Sequence, residues 1–173
     1  VSLNLPQDLH DSPILYISGR GALTFKPEEK ALLKQFVLRG GMILASPGGN
    51  SSTFVSSMQA LVAEWFPKHE LVPVPPDDPL FNVQKKAVAP PRLLGLNNGL
   101  RWMILVSTSD LGCAWQKREY VTRGGMFDFA VNLYVCVSDK GRLKGRGQSY
   151  GVVDAGNKPA RTVTVGRWIW GSP

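Results

Sequence analysis

The chain is poor in the residue types on which most catalytic and metal sites depend. It contains only two histidines, His10 and His69, and two cysteines, Cys113 and Cys136, among 173 residues. The cysteines lack metal-ligand spacing and are too few for a disulfide framework. We expect Cys136, in an apolar run, to be a small buried hydrophobic residue, and Cys113 to lie in an accessible turn. With no histidine near it in sequence, Cys113 is not favoured as a nucleophile.

Long apolar segments are also missing. No run approaches the length that a membrane span needs, and no signal peptide is visible. The chain starts at Val1 rather than at methionine, so we expect a processed chain or a piece of a longer one, and the compartment, cytoplasmic or exported, stays open. A hydrophobic content of 43% and a charged content of 19% predict one globular domain with an adequate core.

The positive charge is concentrated at the end of the chain. Of a net charge of +7, the segment 139–173 supplies seven basic residues against two acidic ones. We interpret 139–173 as a basic extension, a β-hairpin packed on the α/β domain of residues 1–138, whose charges keep a surface soluble. Attraction to phosphate or anionic lipid is the alternative. Nucleic-acid binding ranks last, because the aromatic residues Tyr150, Trp168 and Trp170 are more simply packing residues.

Three compact apolar runs, 13–18, 42–45 and 102–107, predict buried strands. Between the first two, a proline at the first helical position followed by two glutamates predicts a helix over 27–39. Strand, helix and strand in this order indicate an α/β fold, a three-layer sandwich with a mainly parallel sheet. The polar exits of the three strands should then meet at one edge of that sheet.

The stretch 39–52 organises this prediction. Gly40 and Gly41 end the first helix, since glycine enters the left-handed conformation without a steric penalty. After the strand, a Pro-Gly-Gly turn leads to Ser51 and Ser52, either of which can cap a second helix. Backbone N–H groups converge at such a turn and suit an anion, although many such turns merely join strand to helix. The apolar positions of the second helix share one face: Phe54, Met58, Leu61, Val62 and Trp65.

Three aspartates lie in segments that could carry a functional carboxylate. Asp110 is the last residue of the polar exit 108–110 that follows the third strand, at the sheet edge where open α/β proteins bind ligands. It is the best candidate for a functional carboxylate; the alternative is an Asx turn or a helix cap. Asp77 and Asp78 lie in a proline-rich connection, where adjacent aspartates are usually solvated turn formers.

The later segments are less regular. Residues 93–96 predict a short strand followed by an Asn-Asn-Gly turn. The polar, aromatic-bearing stretch 112–125, which contains Trp115, is a candidate lid. Residues 126–137 predict a buried helix that ends at Gly141.

A family resemblance rests on the order and spacing of short segments, none of them specific alone: 15–19, 39–41, 65–67, 78–80, 94–96, Arg101, 109–111, Trp115 and 132–134. Together they resemble the bacterial domain-of-unknown-function family 4159, over roughly residues 13–138. That family is similar to the class I glutamine amidotransferase-like group, so the resemblance implies a flavodoxin-like or Rossmann-like α/β sandwich.

The chemistry of that group is not expected here. Its enzymes hold a nucleophile on a Gly-x-Cys-x-Gly or Gly-x-Ser-x-Gly elbow, and neither pentapeptide occurs in the chain. Ser46 ends a strand before Pro47, but it lacks the glycine two residues earlier and a nearby histidine.

Two functional hypotheses follow. The first is a non-catalytic ligand-binding or protein-interaction module without cofactor or metal, whose partner is an unidentified protein or a small anionic ligand. The alternative is a hydrolase that uses Asp110, with Asp77 or Asp78 and a metal held by oxygen ligands. The predicted cleft comprises Gly19, Arg20, Gly21, Ser46, Gly48, Gly49, Asn50, Ser51, Ser109, Asp110 and Trp115.

Overall fold

The computed structural model describes residues 12–138, in which one sheet is covered by helices. The strands are β1 Ile14–Gly19, β2 Met42–Pro47, β3 Val72–Pro73, β4 Leu93–Asn97 and β5 Trp102–Ser107. The α-helices are α1 Pro27–Leu38, α2 Ser52–Trp65, α3 Leu111–Gln116 and α4 Gly124–Val137, and two short 3-10 helices span Gly48–Asn50 and Pro79–Phe81. The predicted hairpin and basic extension lie outside the described residues, as does Gly141.

The sheet is mixed, with strand order β1-β2-β5-β4-β3. Strand β1 pairs with β2 and β2 with β5, both in parallel, which confirms that the three predicted strands lie side by side in one direction. Strand β4 runs antiparallel to β5, and β3 antiparallel to β4. The prediction of a mainly parallel sheet therefore holds for one half only. The turn at Gly99, whose φ is 89°, is too short for a crossover, so β4 and β5 must form a hairpin.

Helices cover both faces of the central strands. Successive side chains of a strand point to opposite faces, so β2 and β5 contribute to two separate apolar clusters. Ile43, Ala45 and Ile104 pack against α1 and α2 on one face. Met42, Leu44 and Leu105 pack on the other face, with apolar residues of α3 and α4. This layering agrees with the predicted sandwich.

The second helix follows the sequence pattern closely. The Ser51 hydroxyl accepts a hydrogen bond from the Phe54 N–H at 3.3 Å and so caps α2. The preceding helix, α1, ends before Gly40, whose φ of 109° is the left-handed conformation expected of glycine there. All the predicted apolar positions of α2 are buried: Phe54, Met58, Leu61, Val62 and Trp65.

Two expectations for the last part of the domain were wrong. Residues 112–116, which include Cys113, belong to α3 and are not an irregular insertion. Cys136 is exposed, although it follows Phe129 by seven residues and therefore shares the buried side of α4. It lies in the last turn of the helix, where it lines an open cleft. The predicted helix over 126–137 is present as α4, which starts two residues earlier and ends at Val137. The Ser138 hydroxyl donates there to the Tyr134 carbonyl at 2.5 Å. No helix between residues 12 and 138 is long and apolar enough to cross a bilayer.

Candidate functional site

The carboxyl ends of β1, β2 and β5 meet at one edge of the sheet, which we call the carboxyl rim. It consists of residues 18–21, 46–53 and 107–110. The structure brings all the predicted site residues to this rim except Trp115. The Trp115 ring packs 5.7 Å from that of Tyr16, and its indole N–H donates to the Met126 carbonyl at 3.2 Å, so it links α3 to α4.

Asp110 joins two loops of the rim. One carboxylate oxygen accepts from the Gly49 N–H at 2.6 Å, and the other accepts from the Cys113 N–H at 2.8 Å. The Asp110 N–H donates in turn to the Asn50 side-chain oxygen at 2.7 Å. Asp110 therefore caps α3 and also binds the 3-10 turn after β2. The sequence left Asp110 as either a functional carboxylate or a turn or cap residue, and in the structure its side chain acts as a helix cap.

The glycine turn has an unusual backbone. Gly49 and Asn50 have φ values of 63° and 57°, in the left-handed region that glycine and asparagine tolerate best. This conformation directs the Gly49 N–H toward Asp110, while the Asn50 side chain bonds back to the same residue. The reciprocal hydrogen bonds hold the turn in one shape.

Ser46 is a buried structural hydroxyl. It is 0% exposed, it accepts from the Leu111 N–H at 3.0 Å, and it donates to the Ser109 carbonyl at 3.4 Å. The Ser107 hydroxyl donates to the same carbonyl at 2.8 Å. These bonds tie the exit of β2 to the exit of β5. A nucleophilic serine must instead be exposed beside a base, so the position of Ser46 does not fit that role.

Arg20 is the exposed cation of the rim. Its stem lies over the glycine turn: a Cβ placed on Gly48 would be 3.0 Å from the Arg20 Cγ, and one placed on Gly49 would be 4.0 Å from its Nε. Its carbonyl accepts from the Ser51 hydroxyl at 2.5 Å. Among residues 12–138, no carboxylate forms an ion pair with its guanidinium.

The other predicted carboxylates lie elsewhere. Asp78 accepts from the Trp102 indole N–H and from the Leu80 N–H, each at 2.9 Å. Trp102 begins β5, whereas Asp110 follows its other end, so the strand separates Asp78 from Asp110. Within the described part of the chain, no three His, Cys, Asp or Glu side chains lie close enough to hold a metal ion. The structure therefore does not bring Asp110 together with Asp77 or Asp78 in the way that a shared metal would require.

Sequence reasoning missed a cleft of about 290 Å³ at the opposite edge of the sheet, where Asp78, Trp102 and Cys136 are among the lining residues. Partial burial, and then the negative charge of Asp78, raise the pKa of the Cys136 thiol. Arg101, also in the lining, donates to the Val37 carbonyl in the last turn of α1 and to the Gly41 carbonyl after that helix. Helical spacing gave no signal for the exposure of Cys136, since its position seven residues after Phe129 places it on the buried side of α4.

The structural role of Ser46 predicts the result of its removal. Ser46→Ala leaves the buried Leu111 N–H without an acceptor, so we expect the free energy of unfolding to fall by about 1–2 kcal/mol. Ser56→Ala, on the exposed side of α2, is the matched control and should change stability little. Urea unfolding followed by circular dichroism measures both. Equal stability of the two variants would contradict the role assigned to Ser46.

Comparison with protein families shows which family the chain belongs to. A family model described as a domain of unknown function, DUF4159, matches residues 4–136. Comparison with curated proteins gives no significant match. The family match covers more than half of the chain and includes every element from β1 to most of α4. The chain therefore belongs to the DUF4159 family of domains of unknown function.

Proposed function

We propose that this domain is a non-catalytic binding module whose carboxyl rim recognises an acidic group, a carboxylate or a phosphate, on a protein partner or a small ligand. The observation that carries the proposal is Arg20, an exposed guanidinium beside the glycine turn with no ion-pair partner among residues 12–138. A guanidinium presents N–H groups in a fork that matches carboxylate and phosphate oxygens.

The start of α2 supports the same ligand class. The amide groups of Ser52 and Thr53 have no intrahelical acceptor, as in the first turn of any helix, and both residues are exposed. The next amide, that of Phe54, is already bound by the Ser51 hydroxyl. Because Ser51 also donates to the Arg20 carbonyl, the helix start and the Arg20 loop are held next to each other. The positive end of the helix dipole adds to the charge of Arg20.

The residues that an enzyme would need favour binding over catalysis. Ser46 is buried with its hydroxyl bonded to two backbone groups, and each carboxylate oxygen of Asp110 accepts a backbone N–H. A general base or nucleophile has to reach the substrate. As part of the same proposal, the domain has an amidotransferase-like architecture without the nucleophile. The parallel strands β1, β2 and β5 support this relationship, and the antiparallel strands β3 and β4 depart from it.

Titration with inorganic phosphate, followed by amide chemical shifts, tests the proposal. We expect the amides of Gly21, Ser52 and Thr53 to shift and Arg20→Ala to weaken phosphate binding about tenfold, since hydrogen bonds to charged groups are among the stronger ones. The matched control is Arg39→Ala, because Arg39 follows α1 at the opposite edge of the sheet. Its phosphate affinity should equal that of the wild type.

Two results would contradict the proposal. One is phosphate binding that shifts no amide of the rim or that survives Arg20→Ala unchanged. The other is metal-dependent hydrolysis of an ester or phosphate substrate that Asp110→Ala abolishes, which would favour the hydrolase instead.

A further inference from the structure

We infer that Asp110 is an internal anion that occupies part of the proposed site and competes with the acidic group of the partner for the Gly49 amide. The inference rests on the proposed function, because it concerns the regulation of the same rim. In this arrangement the contact between Asp110 and Gly49 is autoinhibitory, and a partner must displace it to bind fully.

The contact itself shows that the glycine turn accepts a carboxylate. The Gly49 N–H donates to the Asp110 carboxylate over 2.6 Å, a short hydrogen bond to a charged acceptor. Gly49 also lies beside Arg20, since a Cβ on Gly49 would be 4.0 Å from the Arg20 Nε. The amide to which Asp110 bonds is therefore next to Arg20, the cation that we propose binds the acidic group of the partner.

The two carboxylate oxygens of Asp110 accept hydrogen bonds from different parts of the chain. One caps α3 through the Cys113 N–H, while the other bonds only to the Gly49 N–H among the described residues. Breaking the second bond leaves the cap of α3 intact. Gly49 and Asp110 are 61 positions apart in sequence and lie on loops after different strands, so the contact can open while β2 and β5 stay paired.

Charge gives the contact a further effect. The carboxylate of Asp110 lowers the positive potential around the glycine turn and opposes the approach of another anion. An acidic group that also bonds to Arg20 gains enough to replace Asp110 at Gly49, whereas a weaker anion does not. Asp110 thereby selects for ligands that engage both groups.

The test removes the charge and keeps the helix cap. Asp110→Asn retains a side-chain oxygen for the Cys113 N–H, and Asp110→Ser, another good capping residue, is the second variant in case the first folds poorly. We expect both to bind inorganic phosphate about tenfold more tightly than the wild type. The Gly49 amide should shift with phosphate more strongly in the variants. Asp77→Asn removes the same charge from an exposed residue near the opposite edge and should leave affinity unchanged.

The results separate the two proposals. If Arg20→Ala weakens phosphate binding while both Asp110 variants bind no more tightly than the wild type, the inference is wrong and the proposed function stands. If the Asp110 variants bind more tightly but Arg20→Ala has no effect, the competition is supported and the role of Arg20 is wrong. If no variant changes phosphate binding, both proposals are wrong.

Discussion

Gly125→Ala is expected to lower the free energy of unfolding by about 3 kcal/mol, the upper range for overpacking a well-ordered core. A Cβ at this buried position would lie 2.0 Å from the Val88 carbonyl oxygen and 2.7 Å from that of Ala89. Both atoms belong to the backbone, so no side-chain rotation relieves the clash. Either α4 or the loop before β4 has to move, and that movement disturbs the packing of α4 on the sheet.

The neighbouring glycine is a matched control. A Cβ on Gly124 meets nothing within 4 Å, and alanine is a better helix former than glycine. Gly124→Ala should therefore leave stability unchanged or raise it slightly. Urea unfolding of the two variants, followed by tryptophan fluorescence, gives the comparison. Similar stabilities would show that α4 does not lie against the backbone at residues 88–89.

Asn132→Ala is expected to lower the free energy of unfolding by a similar amount, about 3 kcal/mol, because it removes three hydrogen bonds between a buried side chain and the backbone of one loop. The Asn132 side-chain oxygen accepts from the Gln84 and Lys85 N–H groups, each at 3.0 Å. Its amide nitrogen donates to the Lys85 carbonyl at 2.7 Å, and the residue is 0% exposed. One side chain thus satisfies three backbone groups of the loop, and alanine satisfies none of them.

Asn82→Ala is the corresponding control. Asn82 is exposed, and within residues 12–138 its side chain makes one hydrogen bond, to the Asp77 carbonyl at 3.0 Å. Water can replace that bond, so the expected change is within about 0.5 kcal/mol. Thermal unfolding of both variants tests the difference. A loss for Asn82→Ala as large as that for Asn132→Ala would contradict the assignment of Asn132 as the anchor of this loop.

The strands and helices whose residues follow a clear local pattern could be predicted from the sequence. The apolar runs that became β1, β2 and β5, and the single apolar face of α2, reflect residue spacing that any buried strand or helix requires. The gathering of polar exits at one rim followed from the parallel direction of those strands. Residues as distant in sequence as Arg20 and Gly49 could therefore be assigned to one site from the strand order alone, and the structure places them near each other.

The roles of the individual side chains were not predictable to the same degree. Asp110 was identified as a candidate, but its bond to Gly49 depends on how two loops face each other. The anchoring of the loop by Asn132 likewise joins backbone groups 47 and 48 positions away in sequence. Cys136 was placed in the core because its neighbours are apolar, whereas its exposure comes from its place in the last turn of α4, beside an open cleft.

Local residue patterns thus established the α/β class, the parallel core of the sheet and the rim where its strand ends converge. The folded arrangement established that β3 and β4 run antiparallel, that Asp78 and Asp110 stand at opposite ends of β5, and that Asp110 holds the glycine turn. The physical reason is the range of the interactions: periodicity and turn formation act over a few residues, whereas hydrogen bonds between loops depend on three-dimensional packing.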